Sequence, residues 1–189
     1  MDISLVPVGR VAWVLPALLP HLKVSEDWTH GRAIVDDLIR FVLNGQMFLW
    51  VVHDENKVYG HVITEIRQYP QCKILVIQYC AMETGTLEKI NPKMQEIAER
   101  FAKDAGCAGI EFVGRPGWKQ TAREYGYAVQ SVTYQKFFES SFIKNEKVEV
   151  KVSLDEGTFS NLLQHLMINQ NEKKCVIQIS NLEFTFLKK

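Results

Sequence analysis

The sequence predicts an α/β fold, a mixed sheet flanked by helices, followed by a small βαβ-like extension at its C-terminus. Three observations carry this expectation. Segments with apolar residues every three or four positions alternate with short apolar runs of strand length, the pattern of a sheet covered by helices. One of these runs, Ile74 to Tyr79, is apolar enough to be a central strand buried on both faces. Past Ser140 the composition changes: Lys144-Asn145-Glu146-Lys147 is a polar joint, after which Val148, Val150, Val152 and Leu154 alternate with Glu, Lys and Ser. The domains expected are therefore 1–140 and an extension at 147–189.

Taken in order, Ile3 to Val8 is a short β-type run, and Val11 to Leu22 is an apolar stretch that Pro16 and Pro20 should break. Thr29 is a candidate cap for a second helix, in which Ile34, Leu38, Phe41 and Val42 recur at helical spacing and Gly45 marks the end. Met47 to Val52 and Val58 to Arg67 read as a hairpin joined by the polar turn His53 to Lys57, with Val58, Val62 and Ile66 sharing one face. Tyr69-Pro70-Gln71 turns the chain into the buried strand. A helix then starts with Asn91 as cap and Pro92 in the first turn; Met94, Ile97, Ala98, Phe101, Ala102 and Ala105 repeat three and four apart, and Gly106 ends it. Ala108 to Val113 is a strand, parallel to Ile74–Tyr79 if the two are right-handed crossover neighbours. A loop at 114–117, a short helix from Trp118 to Tyr125 and a last long strand from Tyr127 to Phe138 complete the main unit. In the extension, Phe159 to Ile168 reads as a helix and Cys175 to Leu187 as one long strand or two short ones. So small a unit needs a surface to fold against, so it is expected to dock on the main body or a partner chain through Val148, Val150, Val152, Leu162, Leu166, Ile177 and Ile179.

Composition removes several function classes. The chain has 189 residues, 47% hydrophobic, enough to bury a core without a metal or disulfide staple. Its 22 Lys+Arg balance 22 Asp+Glu, so no long-range field gathers phosphates or anionic lipid, and nucleic acid is disfavoured as a main partner. Cys72, Cys80, Cys107 and Cys175 form no CxxC pair and lie beside apolar runs, which reads as reduced thiols in a cytoplasm and no metal site. No signal-peptide pattern opens the sequence, and no apolar run approaches a membrane-spanning length. The five histidines, at 21, 30, 53, 61 and 165, show neither metal-ligand spacing nor a local nucleophile signature.

The strand Ile74–Tyr79, the helix carrying Glu99, Ala102 and Gly106 as E-x-x-A-x-x-x-G, the strand Gly109–Val113 and the ending Tyr125-Gly126-Tyr127 together resemble the GNAT (Gcn5-related N-acetyltransferase) superfamily over residues 1–138. Gly114-Arg115-Pro116-Gly117-Trp118 is similar to stretches in GNAT-like proteins encoded by tailed bacteriophages. In that family a Q/R-x-x-G-x-G/A segment lets backbone N–H groups approach the coenzyme A pyrophosphate at a helix N-terminus. Here the corresponding residues are Thr86-Leu87-Glu88-Lys89-Ile90-Asn91, with Lys89 and Asn91 in place of the two glycines. The resemblance implies that acetyl-coenzyme A, if the chain is active, meets Tyr79, Ala81, Lys89, Asn91 and Lys93.

No catalytic residue is assigned. The family's proton-donor tyrosine corresponds to Ala122, Tyr125 and Tyr127 are expected to pack, and Glu65 and Glu83 are the carboxylates placed for a general base. The missing glycines and tyrosine favour a GNAT-fold component of an assembly with little or no catalysis, such as a protein of a phage virion; the alternatives are an acetyl-coenzyme A-dependent N-acetyltransferase and a module that binds or inhibits a host protein. The geometry between Cys80 and Met94 separates them, since a splayed strand end suits an enzyme and a filled cleft does not.

Overall fold

The computed structural model describes residues 1–114, 116–133, 148–154, 174–179 and 182–188. Five strands form one sheet in sequential order: β1 (Asp2–Leu5), β2 (Phe48–His53), β3 (Val58–Gln68), β4 (Lys73–Met82) and β5 (Gly109–Phe112). The first three pairings are antiparallel, and β4 with β5 is parallel as expected, with Ile74 opposite Gly109 and Ile77 opposite Phe112. Helices α1 (Val11–Trp28) and α2 (Val35–Leu43) cover one face, where Leu15, Leu18, Leu22 and Leu38 pack on Leu49, Val51 and Ile63. Helix α3 (Thr86–Asp104) covers the other, setting Ile90 and Met94 on Trp50, Val52 and Val62, and Ala98 and Ala102 on Leu75. A short helix α4 (Lys119–Glu124) follows β5.

Several expectations are corrected. Pro16 and Pro20 do not break the first helix, which is continuous over 18 residues. Both prolines are exposed and lie four apart on the outer face, and the leucine stripe that holds the inner face to the sheet outweighs the hydrogen bonds lost at the carbonyls of Ala12 and Pro16. Thr29 does not cap the second helix. It ends α1, where its hydroxyl donates to the carbonyls of Glu26 (2.9 Å) and Ala33 (2.7 Å), and α2 starts after Ile34. Carboxylates satisfy the first turn of α2 instead: Asp37 accepts the Ile34 N–H at 3.1 Å, and Glu26 accepts that of Val35 at 2.8 Å.

Nor is Asn91 a helix cap. Helix α3 begins at Thr86, after Gly85 in a left-handed conformation with φ 76°, and Asn91-Pro92 lies inside it. Ile90, 2% exposed, is one step further back on the same face as Met94, and its burial extends the helix by more than a turn. Val58, Val62 and Ile66 do not share a face. The register slips between Val52 and His53, leaving Tyr59 as an extra residue, so Val58 packs under α1 and α2 while Val62 and Ile66 pack under α3.

The expected last strand from Tyr127 fails in its described part. Residues 127–133 form no strand, and the Tyr127 ring packs edge-on on Phe112; residues 134–138 lie outside the described residues. In the extension, β6 (Val148–Leu154) runs parallel to β8 (Leu182–Lys188), and β7 (Lys174–Ile179) runs antiparallel to it, so Cys175 to Leu187 is two strands. The helix expected at 159–168, and the docking residues Leu162 and Leu166, lie outside the described residues.

Phe101 meets Trp50 and Phe48 edge-on, with centroids 5.0 and 5.1 Å apart. Phe101→Ala is expected to cost about 3 kcal/mol in urea unfolding through the cavity it leaves. Gly60 lies where β3 and β4 press together, and a Cβ there would stand 2.3 Å from the Ala81 carbonyl oxygen. Gly60→Ala, although it adds one methyl, should therefore cost about 1–3 kcal/mol in the same measurement.

Candidate functional site

The site originates in a mismatch between neighbouring strands. β5 ends at Phe112 opposite Ile77, whereas β4 continues to Met82. At the same point the pairing of β4 with β3 jumps from Ile63–Tyr79 to Thr64–Ile77, so Gln78 is an extra residue in β4. The bulge bends the strand where it loses its second neighbour. Beyond the separation lies a cleft of about 540 Å³, within the size range of small-molecule sites. The end of α1 and the turn after it supply Ser25, Trp28, His30 and Arg32; β4 supplies Ile77 to Cys80; α3 supplies Asn91, Met94 and Gln95. Phe112 to Gly114, Trp118, Thr121, Ala122, Tyr125 and Tyr127 close it from the β5 and α4 side. A second gap of about 20 Å³ between α3 and the sheet is lined mainly by core residues such as Ile3, Trp50 and Leu75, and reads as imperfect packing.

The wall residues are held by short polar chains. The Tyr127 hydroxyl donates to Gln95 Oε1 at 2.8 Å, and Gln95 Nε2 donates to Asn91 Oδ1 at 3.2 Å. Phe112 steadies both the Tyr127 ring (5.0 Å, edge-on) and Trp118 (5.8 Å, tilted). Burial, with Glu99 adding to it, pushes the Tyr127 phenol up to about 12, so it is a hydrogen-bond donor and not a base at neutral pH. Burial also raises Tyr79, and it pushes the Cys80 thiol up to about 11, which removes it as a nucleophile. Behind the wall, Ser25 Oγ and His61 Nε2 share a buried 3.0 Å hydrogen bond. His61 is fully buried, its Nδ1 has no partner among the described residues, and desolvation, aided by the neighbouring His21, lowers its pKa to about 3. It is therefore a neutral imidazole at physiological pH.

No family model and no curated protein sequence matches the chain. Solved structures do. Glucosamine-6-phosphate N-acetyltransferase from Arabidopsis thaliana is 15% identical with a TM-score of 0.54, over 73% of this chain and 98% of that one. An aminoglycoside acetyltransferase from an uncultured soil metagenomic sample, in complex with sisomicin, is 11% identical with a TM-score of 0.57, over 74% and 96%. A GCN5-related N-acetyltransferase from Ralstonia eutropha is 11% identical with a TM-score of 0.55, over 72% and 97%. The fold is the GNAT acetyltransferase fold. Among the described residues no helix is long and apolar enough to cross a membrane.

Within this GNAT fold the residues expected to meet acetyl-coenzyme A separate into two groups. Tyr79 and Asn91 line the cleft. Ala81 is buried, Lys89 is exposed in the first turns of α3, and Lys93 pairs with Asp2 at 2.9 Å; none of these three is a wall residue. Glu65 pairs with Arg67, and Glu83 with Lys57 at 2.8 Å; neither reaches the wall. Ala122 does line it, as do Tyr125 and Tyr127, which were expected only to pack. Arg115 lies outside the described residues. Sequence reasoning missed Ser25, Trp28, Arg32 and the bulge at Gln78, for which no local motif exists; Tyr127 carried a signal in its place beside Gly126.

The buried imidazole makes stability depend on pH. Its pKa is lower folded than unfolded, so its contribution is complete above about pH 6.5 and is lost as pH falls toward 3. Melting temperature should decline progressively below pH 6.5, and His61→Gln, which keeps a partner for Ser25 without a titrating ring, should flatten that decline.

Proposed function

We propose that the chain is an acetyl-coenzyme A-dependent N-acetyltransferase with a weakened hold on the pyrophosphate. The observation that supports this best is the parting of β4 from β5 at Ile77 and Phe112, with the Gln78 bulge at the same point and an open cleft beyond it. The acetyl thioester would bring the electrophilic carbonyl. The residues of the chain bind and orient: Phe112, Met94 and Trp118 offer apolar wall to an acyl-pantetheine arm, and Asn91, Gln95 and the bulged backbone offer polar partners along it. Tyr127 is held neutral with its one O–H given to Gln95 Oε1, so it can serve a departing thiolate as donor only once that bond is broken.

One observation favours the reading with little or no catalysis. Thr86 to Asn91, which correspond to the phosphate loop, are wound into the first turn and a half of α3, so the N–H groups of Lys89, Ile90 and Asn91 serve the helix and that of Thr86 donates to the Glu83 carbonyl oxygen at 3.1 Å, leaving those of Leu87 and Glu88 for an anion. A role in an assembly, a phage particle included, is the alternative this supports; the phage resemblance itself rests on the Gly114–Trp118 stretch.

Calorimetry separates the two. Acetyl-coenzyme A is expected to bind near 100 µM, about −5.5 kcal/mol. Thr121→Trp, which sets an indole into the cleft wall from an exposed helix, should weaken this at least about tenfold, whereas Lys89→Ala with Lys93→Ala should leave it within about twofold. Absence of binding at millimolar ligand would establish the non-catalytic reading.

A further inference from the structure

Charge in the cleft is one-sided. Among the described residues, no aspartate, glutamate or lysine lines it, and Arg32 is its one permanent charge. Arg32 is exposed, and its Nε–H donates to the Thr29 carbonyl oxygen at 2.8 Å, which sets the plane of the guanidinium. No carboxylate among the described residues pairs with it. An arginine fixed through one nitrogen and left without an acidic partner has its remaining N–H fork available to a carboxylate, which it can grip through two parallel hydrogen bonds. From the same end of α1, Trp28 is 49% exposed although it belongs to the cleft wall, and His30 meets its ring edge-on at 6.5 Å. A half-exposed indole lining the same cleft as a guanidinium with no acidic partner among the described residues is suited to a ligand with a flat apolar part and a negative end. A polycation would find no counter-charge among the described residues of these walls.

We propose that Arg32 and Trp28 form an acceptor subsite selective for an amine that also carries a carboxylate and an aromatic ring, the chemistry of an aromatic amino acid or a peptide terminus bearing one. The word acceptor rests on the acetyl-transfer reading; the binding preference does not. The probes are L-phenylalanine, 2-phenylethylamine, which lacks only the carboxylate, and an aminoglycoside as the polycation, each followed by tryptophan fluorescence and calorimetry on the full chain. The expected result is at least about tenfold tighter binding of L-phenylalanine than of either other probe, a preference that Arg32→Gln abolishes and Arg32→Lys retains in part. Circular dichroism of both variants establishes that they are folded, since the side chain is exposed. Equal or tighter binding of 2-phenylethylamine or the aminoglycoside, or no binding of L-phenylalanine, overturns the proposal. Acetyl-coenzyme A is titrated separately: if it fails to bind while the carboxylate preference holds, the transferase reading falls and the subsite stands. If acetyl transfer proceeds to 2-phenylethylamine or the aminoglycoside in preference to L-phenylalanine, the transferase reading stands and the subsite falls.

Discussion

The unequal length of β4 and β5 is the constraint from which the cleft follows. Parallel pairing holds the two strands together for four residue pairs, from Ile74–Gly109 to Ile77–Phe112, and then β5 stops. The remaining half of β4 keeps its ladder to β3 but has no second neighbour among the described residues, and the extra residue at Gln78 bends it there. A strand can sustain such an edge only where something else supports it. Here α1 and α2 support one face through Tyr79, and α3 supports the other through Ile77 and Cys80. Both faces therefore contribute wall residues to one opening.

The course of α3 gives this GNAT fold its individual character. Burial of Thr86, Ile90, Asn91 and Met94 along one stripe favours starting the helix directly after Gly85, at the expense of a loop that would present N–H groups to phosphate. Pro92 is tolerated inside because the carbonyl it deprives, that of Glu88, belongs to an exposed residue one turn back on the same outer face. The inward side of the second and third turns then carries Asn91 and Gln95, which the Tyr127 hydroxyl joins into one chain. What the site loses in anion-binding backbone it gains as a polar side-chain wall.

Electrostatically the cleft is quiet. Tyr79, Tyr127 and the Cys80 thiol are neutral because burial disfavours their ions, and the imidazole behind Ser25 is neutral for the same reason. Within such a setting a single guanidinium carries more weight than it would among carboxylates lining the same wall, and among the described residues none does. The acids of this chain are instead spent on structure: Glu26 and Asp37 on the first turn of α2, Asp54 on the β2–β3 turn, where its Oδ1 accepts the N–H groups of Asn56 and Lys57 at 2.9 Å each.

By itself the sequence determined what depends on neighbours along the chain. Apolar spacing gave the sheet-facing stripe of Met94, Ile97 and Phe101, the buried run of β4 and the polar turns, and the order of elements was enough to suggest the GNAT fold. Tertiary structure decided everything that rests on competition between local preference and burial. Pro16, Pro20 and Asn91-Pro92 are breakers or starters locally, yet leucine and isoleucine packing overrides them, because a buried stripe outweighs one or two missing hydrogen bonds. The bulges at Tyr59 and Gln78 cannot be read from alternation, since an extra residue is defined only by the partner strand it fails to match. Arg32 and Trp28 became site residues for the same reason: nothing beside them in the chain marks them, and only the folding of the α1–α2 turn over the end of β4 brings them to the cleft.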